Sequence, residues 1–70
     1  MNRITFPCTL RRVSCKGTRT HDFLYEQSTP ATVCRRSFLD GTQESEDWQC
    51  TPKQARQDIR ARLTLGFTIL

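Results

Sequence analysis

Residues 33–42 read Val-Cys-Arg-Arg-Ser-Phe-Leu-Asp-Gly-Thr, and the Asp40-Gly41 pair near their end decides the fold. Asp-Gly suits a two-residue hairpin, because both central residues of that turn need positive φ. A strand from Val33 to Leu39 therefore folds back on residues 42–48. Counting outward from the turn sets Ser37 opposite Glu44, Arg35 opposite Glu46 and Val33 opposite Trp48. A base then meets an acid and a β-branched residue meets an aromatic, both favourable across strands. Against this, Thr-Gln-Glu-Ser-Glu-Asp (residues 42–47) is a poor strand by propensity, and a solvated acidic loop anchored only at Trp48 competes with it.

Upstream, Gln-Ser-Thr-Pro-Ala at 27–31 reads as a loop and residues 20–26 as a second strand. Residues 3–10 place Ile4, Phe6, Cys8 and Leu10 on alternate positions, which turns one side of a first strand to a core. Pro7 cannot donate to a ladder, so this strand is expected at a sheet edge, or else with the Pro7 nitrogen pointing outward. After Arg11 and Arg12 the apolar parity switches to Val13 and Cys15, which predicts a bulge or an early end. Lys16-Gly17-Thr18 reads as the intervening turn, with Gly17 supplying a positive φ. If Gly17 is its centre, Leu10 faces Leu24 and Arg12 faces Asp22.

Downstream lies the clearest element, a helix over about 51–65. Thr51 is an N-cap residue, and Pro52 takes the first helical position, where its missing N–H costs nothing. Gly66 stands where a left-handed C-terminal residue belongs. Ala55, Ile59 and Leu63 recur at i, i+4 and i+8 as a narrow apolar stripe, with Lys53, Arg56 and Arg60 about 100° away on the exposed flank. Phe67-Thr68-Ile69-Leu70 is too apolar to trail in water and is expected to return to the sheet. The expected fold is α+β. An antiparallel meander of three or four strands is crossed by one helix and completed by a short final strand, in a single domain of residues 1–70.

Cys8, Cys15, Cys34 and Cys50 are separated by six, eighteen and fifteen residues. A structural zinc site brings its ligands in close pairs, and none exists here. Two disulfides would suit a small secreted scaffold. The start, MNRITFPCTLRR, lacks the apolar stretch of a signal peptide, which favours a cytoplasmic chain with reduced thiols packed as small apolar residues. A mature secreted domain given a start Met would look the same. No apolar run approaches the roughly 20 residues that span a bilayer, so no membrane partner is expected.

Catalytic chemistry finds no footing. His21 and Asp22 are adjacent strand residues and point to opposite faces, so His21 is read as a surface or satisfied strand histidine. Glu44, Glu46 and Asp47 are read as a solvated face that offsets the arginines of the facing strand. The three glycines are scattered and form no phosphate loop. No enzyme activity, cofactor or metal is expected.

Charge carries the functional reading. Nine arginines and two lysines against seven carboxylates leave a net +4. Arginine's planar fork binds phosphate and carboxylate bidentately, although a GC-rich genome raises arginine usage just as well. Arg11, Arg12, Lys16 and Arg19 cluster around the first hairpin. Arg35 and Arg36 lie on the third strand, and Lys53, Arg56 and Arg60 on the helix. With Phe23 and Tyr25 on the sheet, this resembles in physics a stacking platform for single-stranded nucleic acid, although both aromatics suit the core better. The expected contact set is Arg11, Arg12, Arg35, Arg36, Lys53, Arg56 and Arg60. Two functions are expected: a small accessory protein that binds nucleic acid, or a protein-binding modulator of the phage or plasmid type. The latter would act through the helix or through exposed edges at 3–10 and 67–70, which also invite homodimerisation. A disulfide-bonded extracellular domain is a weaker third.

Overall fold

The computed structural model describes residues 4–70. It is α+β, with one antiparallel sheet of six strands and one helix. The strands are β1 (Cys8–Ser14), β2 (Gly17–Glu26), β3 (Thr32–Leu39), β4 (Thr42–Gln43), β5 (Trp48–Cys50) and β6 (Thr68–Ile69), and α1 is Pro52–Thr64. The order across the sheet is β4-β3-β2-β1-β6, with β5 also paired to β3. The strand number thus exceeds the three or four of the expected meander, because the segment after Asp40-Gly41 forms two short strands.

The Asp-Gly turn forms as its chemistry requires. Asp40 has φ 50° and Gly41 φ 84°, and Leu39 pairs with Thr42. The counted register holds through Glu44, whose N–H donates to the Ser37 carbonyl at 2.9 Å. It then fails. Arg35 faces Trp48 and Val33 faces Cys50, so the expected Arg35–Glu46 and Val33–Trp48 pairs do not exist. The acidic run loops out between β4 and β5, where Gln43 Nε2 donates to the Ser45 carbonyl at 3.0 Å and to Asp47 Oδ1 at 2.8 Å. The shift is of two residues, so each side chain keeps its face.

The first hairpin is corrected more deeply. Its turn is Cys15-Lys16, closed by the pair Ser14–Gly17, so Leu10 faces His21 and Thr9 faces Asp22. The expected Leu10–Leu24 and Arg12–Asp22 pairs are off by three, an odd number that exchanges the two faces of β2. Phe23 is therefore fully buried, and Leu24 lies on the open face. Neither the bulge nor the early end occurs. β1 simply runs past the core, leaving Val13 72% exposed. Residues 4–7 lie outside the strand, because Pro7 has no N–H for a ladder. Ile4 is nonetheless buried and Phe6 packs against the core, so the alternation recorded burial without pairing. Arg3 lies outside the described residues. β1 is internal, not an edge, since β6 pairs along it through Leu10–Ile69 and Arg11–Thr68.

Helix α1 follows its local signals. Thr51 Oγ1 accepts from the Gln54 N–H at 3.1 Å, and Gln54 Oε1 accepts from the Thr51 N–H at 3.0 Å, which completes a capping box. At the other end, Phe67 N–H bonds the Arg62 carbonyl and Gly66 N–H the Leu63 carbonyl, the pairing of a Schellman motif. Ala55 and Ile59 are fully buried, whereas Leu63 is 38% exposed because the stripe outruns the sheet. They close a core of Ile4, Cys8, Leu10, Phe23, Val33, Cys50 and Phe67. All four cysteines are free thiols, with Cys15 exposed. Burial pushes the Cys8, Cys34 and Cys50 thiols up, and Cys50 Sγ donates to the Val33 carbonyl at 3.5 Å. Among the described residues no helix is long and apolar enough to cross a membrane.

Candidate anion-binding site at the first hairpin

The β1–β2 hairpin projects beyond the core, and its tip is held by local and distant bonds. Ser14 Oγ donates to the Gly17 carbonyl and accepts from the Lys16 N–H, each at 3.3 Å. Asp40, from the other hairpin, accepts from the Thr18 N–H through its carboxylate and donates its own N–H to the Thr18 carbonyl, both at 2.9 Å. Gly17 makes this clamp possible. Its φ is +126°, and a Cβ there would sit 2.6 Å from Asp40 Oδ2. Gly17→Ala is therefore expected to lower stability by about 1–3 kcal/mol through backbone strain plus displacement of the clamp. Urea unfolding checks this, and an unchanged midpoint would show that the clamp contributes nothing to the fold.

On this platform Arg12 and Arg19 stand directly opposite each other on the helix-side face of the sheet. Like charges placed so are destabilising in the absence of an anion. With Lys16 from the turn, Ser14 and Cys15, they line a pocket of about 270 Å³. Arg12 runs past Gly66, where a Cβ would lie 3.8 Å from its Nε, just beyond the C-terminus of α1. The partial negative charge of that helix end steadies a cation there. Arg19 meets Glu44 at 3.5 Å, a solvent-exposed pair that contributes little. The pocket is thus lined by three basic side chains, with the carboxylates of Glu44 and Asp40 beside it.

The expected contact set divides. Arg11, Arg12, Lys53 and Arg60 are exposed and form no ion pair with a described residue. Arg36 is tied to Asp47 at 3.1 Å, so the acidic run does offset the arginines, as does Glu44 at Arg19. Arg56 is withdrawn from the helix flank. Its Nε donates to the Ile4 carbonyl at 3.4 Å and its guanidinium lies 5.2 Å from the Phe6 ring centre. Arg35 faces α1, donating to Asp58 at 2.9 Å and stacking 4.6 Å from the Trp48 ring centre. The stacking platform dissolves as well. Phe23 is covered by the helix, and Tyr25 lies 6.4 Å from Phe6, ring on ring.

Sequence reading missed a polar network under the helix. Asp58 Oδ2 accepts from Arg35 Nη1 at 2.9 Å and from Arg62 Nε at 3.1 Å. Arg62 Nη1 lies 3.0 Å from His21 Nε2, and His21 Nδ1 lies 2.7 Å from Ser37 Oγ. Arginine only donates, so Nε2 must accept and Nδ1 carries the proton toward Ser37. His21 therefore presents no lone pair to the serine hydroxyl, and the pair cannot act as nucleophile and base in this state. Burial first, then the charges of Arg62 and Arg35, lowers the His21 pKa to about 4. Asp22 points to the opposite face, accepting from Thr9 Oγ1 at 3.1 Å. Among the described residues no three His, Cys, Asp or Glu side chains converge as metal ligands.

Compared with known proteins, the chain matches no protein-family model, no curated protein sequence and no solved structure.

Proposed function

We propose that this chain is a non-enzymatic accessory protein that binds nucleic acid by gripping phosphate with its first hairpin. The observation that carries the reading is the opposed pair Arg12 and Arg19, joined by Lys16 around one pocket. Their mutual repulsion is offset when a phosphate sits between them, and arginine forks bind phosphate oxygens bidentately. The net charge of +4 adds a long-range attraction for polyanions. Arg35 and Arg56 are engaged within the fold and leave the contact set, whereas Arg36, half-exposed in its surface pair with Asp47, stays in it.

Fluorescence anisotropy with short single- and double-stranded DNA and RNA at low and moderate salt tests this. Arg12→Gln/Arg19→Gln is expected to weaken binding by about tenfold or more. It should also flatten the slope of log K against log salt by about 0.7–0.9, as loss of one neutralised phosphate requires. Lys53→Gln/Arg60→Gln, on the helix, leaves both nearly unchanged. Equal losses from the two pairs would mean a diffuse basic surface without a site.

A second reading, a protein-binding modulator or homodimer, rests on a separate observation. Leu65, Ile69 and Leu70 are 59%, 49% and 62% exposed around the edge strand β6. Exposed apolar groups beside unpaired backbone favour strand addition. Phe67 is buried in the core, so deleting 67–70 would remove core as well as edge. Flat anisotropy at low salt with a stoichiometric protein complex that survives moderate salt would favour this reading.

A further inference from the structure

We infer that residues 65–70 form an acid-sensitive strap: a proton on His21 lifts Phe67 and β6 off the sheet while the rest of the fold persists, and β1 then becomes the sheet edge. Two observations carry this. The first is how little holds the strap. After Ile59, Phe67 is the only buried residue, and Thr68, Ile69 and Leu70 are all exposed. β6 adds two register pairs, Leu10–Ile69 and Arg11–Thr68. Beside them, Leu70 N–H donates to the Thr9 carbonyl at 2.9 Å and Thr68 Oγ1 to the Arg11 carbonyl at 3.2 Å. An element with one buried side chain and a short ladder opens at lower cost than the core. Gly66, at φ 97°, joins the strap to α1 and can serve as its hinge.

The second is what that one anchor covers. The Phe67 ring centre lies 5.1 Å from that of the His21 imidazole and 5.9 Å from the Arg62 guanidinium, so it packs against both. Arg62 Nη1 donates to His21 Nε2 at 3.0 Å, and this nitrogen takes a proton only if Arg62 moves away. The charged groups around the imidazole are Arg62 and Asp58 from α1, Arg35 from β3 and Arg19 from β2. Three guanidinium groups against one carboxylate oppose a further positive charge. Ser37 from β3 keeps its bond to Nδ1 in either state, while Leu10 from β1 and Phe67 are uncharged. β2 is paired on both sides, and α1 is seated by Ala55 and Ile59. The strap is therefore the element that yields, letting water reach the charged ring and Arg62 swing clear.

Amide hydrogen exchange on the whole chain at about pH 7.5 and about pH 5 tests this, with protection factors corrected for the intrinsic pH dependence of exchange. The probes are the Phe67 N–H, which bonds the Arg62 carbonyl at 3.2 Å, and the amides of the β2–β3 ladder. Phe67 is expected to be less protected than the ladder at both pH values. Its protection should also fall about 30-fold between them, because His21 titrates near 4 under the strap and near 6.5 once the strap is lifted. His21→Gln keeps an acceptor for Arg62 and cannot charge, so it should hold the Phe67 protection factor constant.

Three results would overturn the inference. Phe67 protection equal to that of the ladder at both pH values would mean that only global unfolding frees His21. A wild-type Phe67 protection factor that ignores pH would mean that the strap opens without uncovering the imidazole. The same fall in His21→Gln would place the titration on another group. The wild-type comparison decides the matter even if the variant fails to fold. No nucleic acid enters the experiment, so the phosphate-binding reading stands or falls separately.

Discussion

Asp58→Asn is expected to lower the unfolding free energy by about 2–4 kcal/mol, a large part of the roughly 3–5 kcal/mol that a chain of this size commands. The carboxylate is the single anion between Arg35 and Arg62, and both guanidinium groups reach the same oxygen, Oδ2. The side chains are partly buried, at 20%, 23% and 19% exposure for Arg35, Arg62 and Asp58, so water screens the pair incompletely. Arg35 Nε is already buried without a partner among the described residues. Removing the negative charge leaves two cations facing each other beneath the helix with only a neutral amide between them. Breaking one side of such a pair costs more than replacing all of it with apolar groups. Arg35→Met/Asp58→Leu should therefore be closer to wild type than Asp58→Leu alone, and a double-mutant cycle by urea unfolding measures the coupling. Additive losses would show that Asp58 stabilises only as a helix surface residue.

The parts of this fold that were legible in advance are those whose signals are local. Thr51-Pro52 and Gly66 bracket the helix through capping chemistry confined to a few residues, and Asp40-Gly41 sets its own turn. The first hairpin shows the limit. Gly17 does need its positive φ, but residue type alone does not say whether it is the turn's centre or the residue that closes it. The Asp40 clamp, twenty-two positions away, holds the closing arrangement. A slip of three then turned the face of β2 that carries Phe23 toward the helix, burying Phe23 in the core while Arg19 on the same face stays beyond it, and the stacking platform went with it.

The candidate site was legible in the same partial way. Arg12, Lys16 and Arg19 are close in sequence around one turn, so their clustering could be read directly. That Arg12 and Arg19 oppose each other followed only from the register. Arg35 and Arg56 look like surface cations until elements far away in sequence supply Asp58, Trp48, Phe6 and the Ile4 carbonyl. The Asp58–Arg62 spacing of four was a readable helix signal for the buried network. Its extension to His21 and Ser37 was not, since it depends on the β2–β3 pairing.

Mild acid should weaken this protein through His21. In the unfolded chain the imidazole takes a proton near pH 6.5, whereas in the fold it resists until about pH 4. Two elements oppose the charged form: the Arg62 guanidinium from α1 lies 3.0 Å from Nε2, the nitrogen that would take the proton, and the Phe67 ring helps to bury the imidazole at 5.1 Å between centroids, whereas the Nδ1 bond to Ser37 survives protonation. Arg35 and Arg19 add positive charge, and Asp58 opposes them only in part. The folded pKa lies below the unfolded one, so the unfolded state binds more protons between the two values and stability rises with pH there. The contribution is complete above about pH 6.5, falls as pH drops toward about 4, and amounts to about 3 kcal/mol in all. Urea unfolding should lose about 2 kcal/mol between about pH 7.5 and pH 5. His21→Gln keeps an acceptor for Arg62 and cannot titrate, so its stability should be lower at neutral pH yet nearly flat across the same interval. A wild-type protein as stable at pH 5 as at neutrality would mean that Arg62 swings away and lets the ring charge. An equal loss in the variant would instead place the acid sensitivity in the carboxylates that pair with Arg35, Arg36 and Arg62.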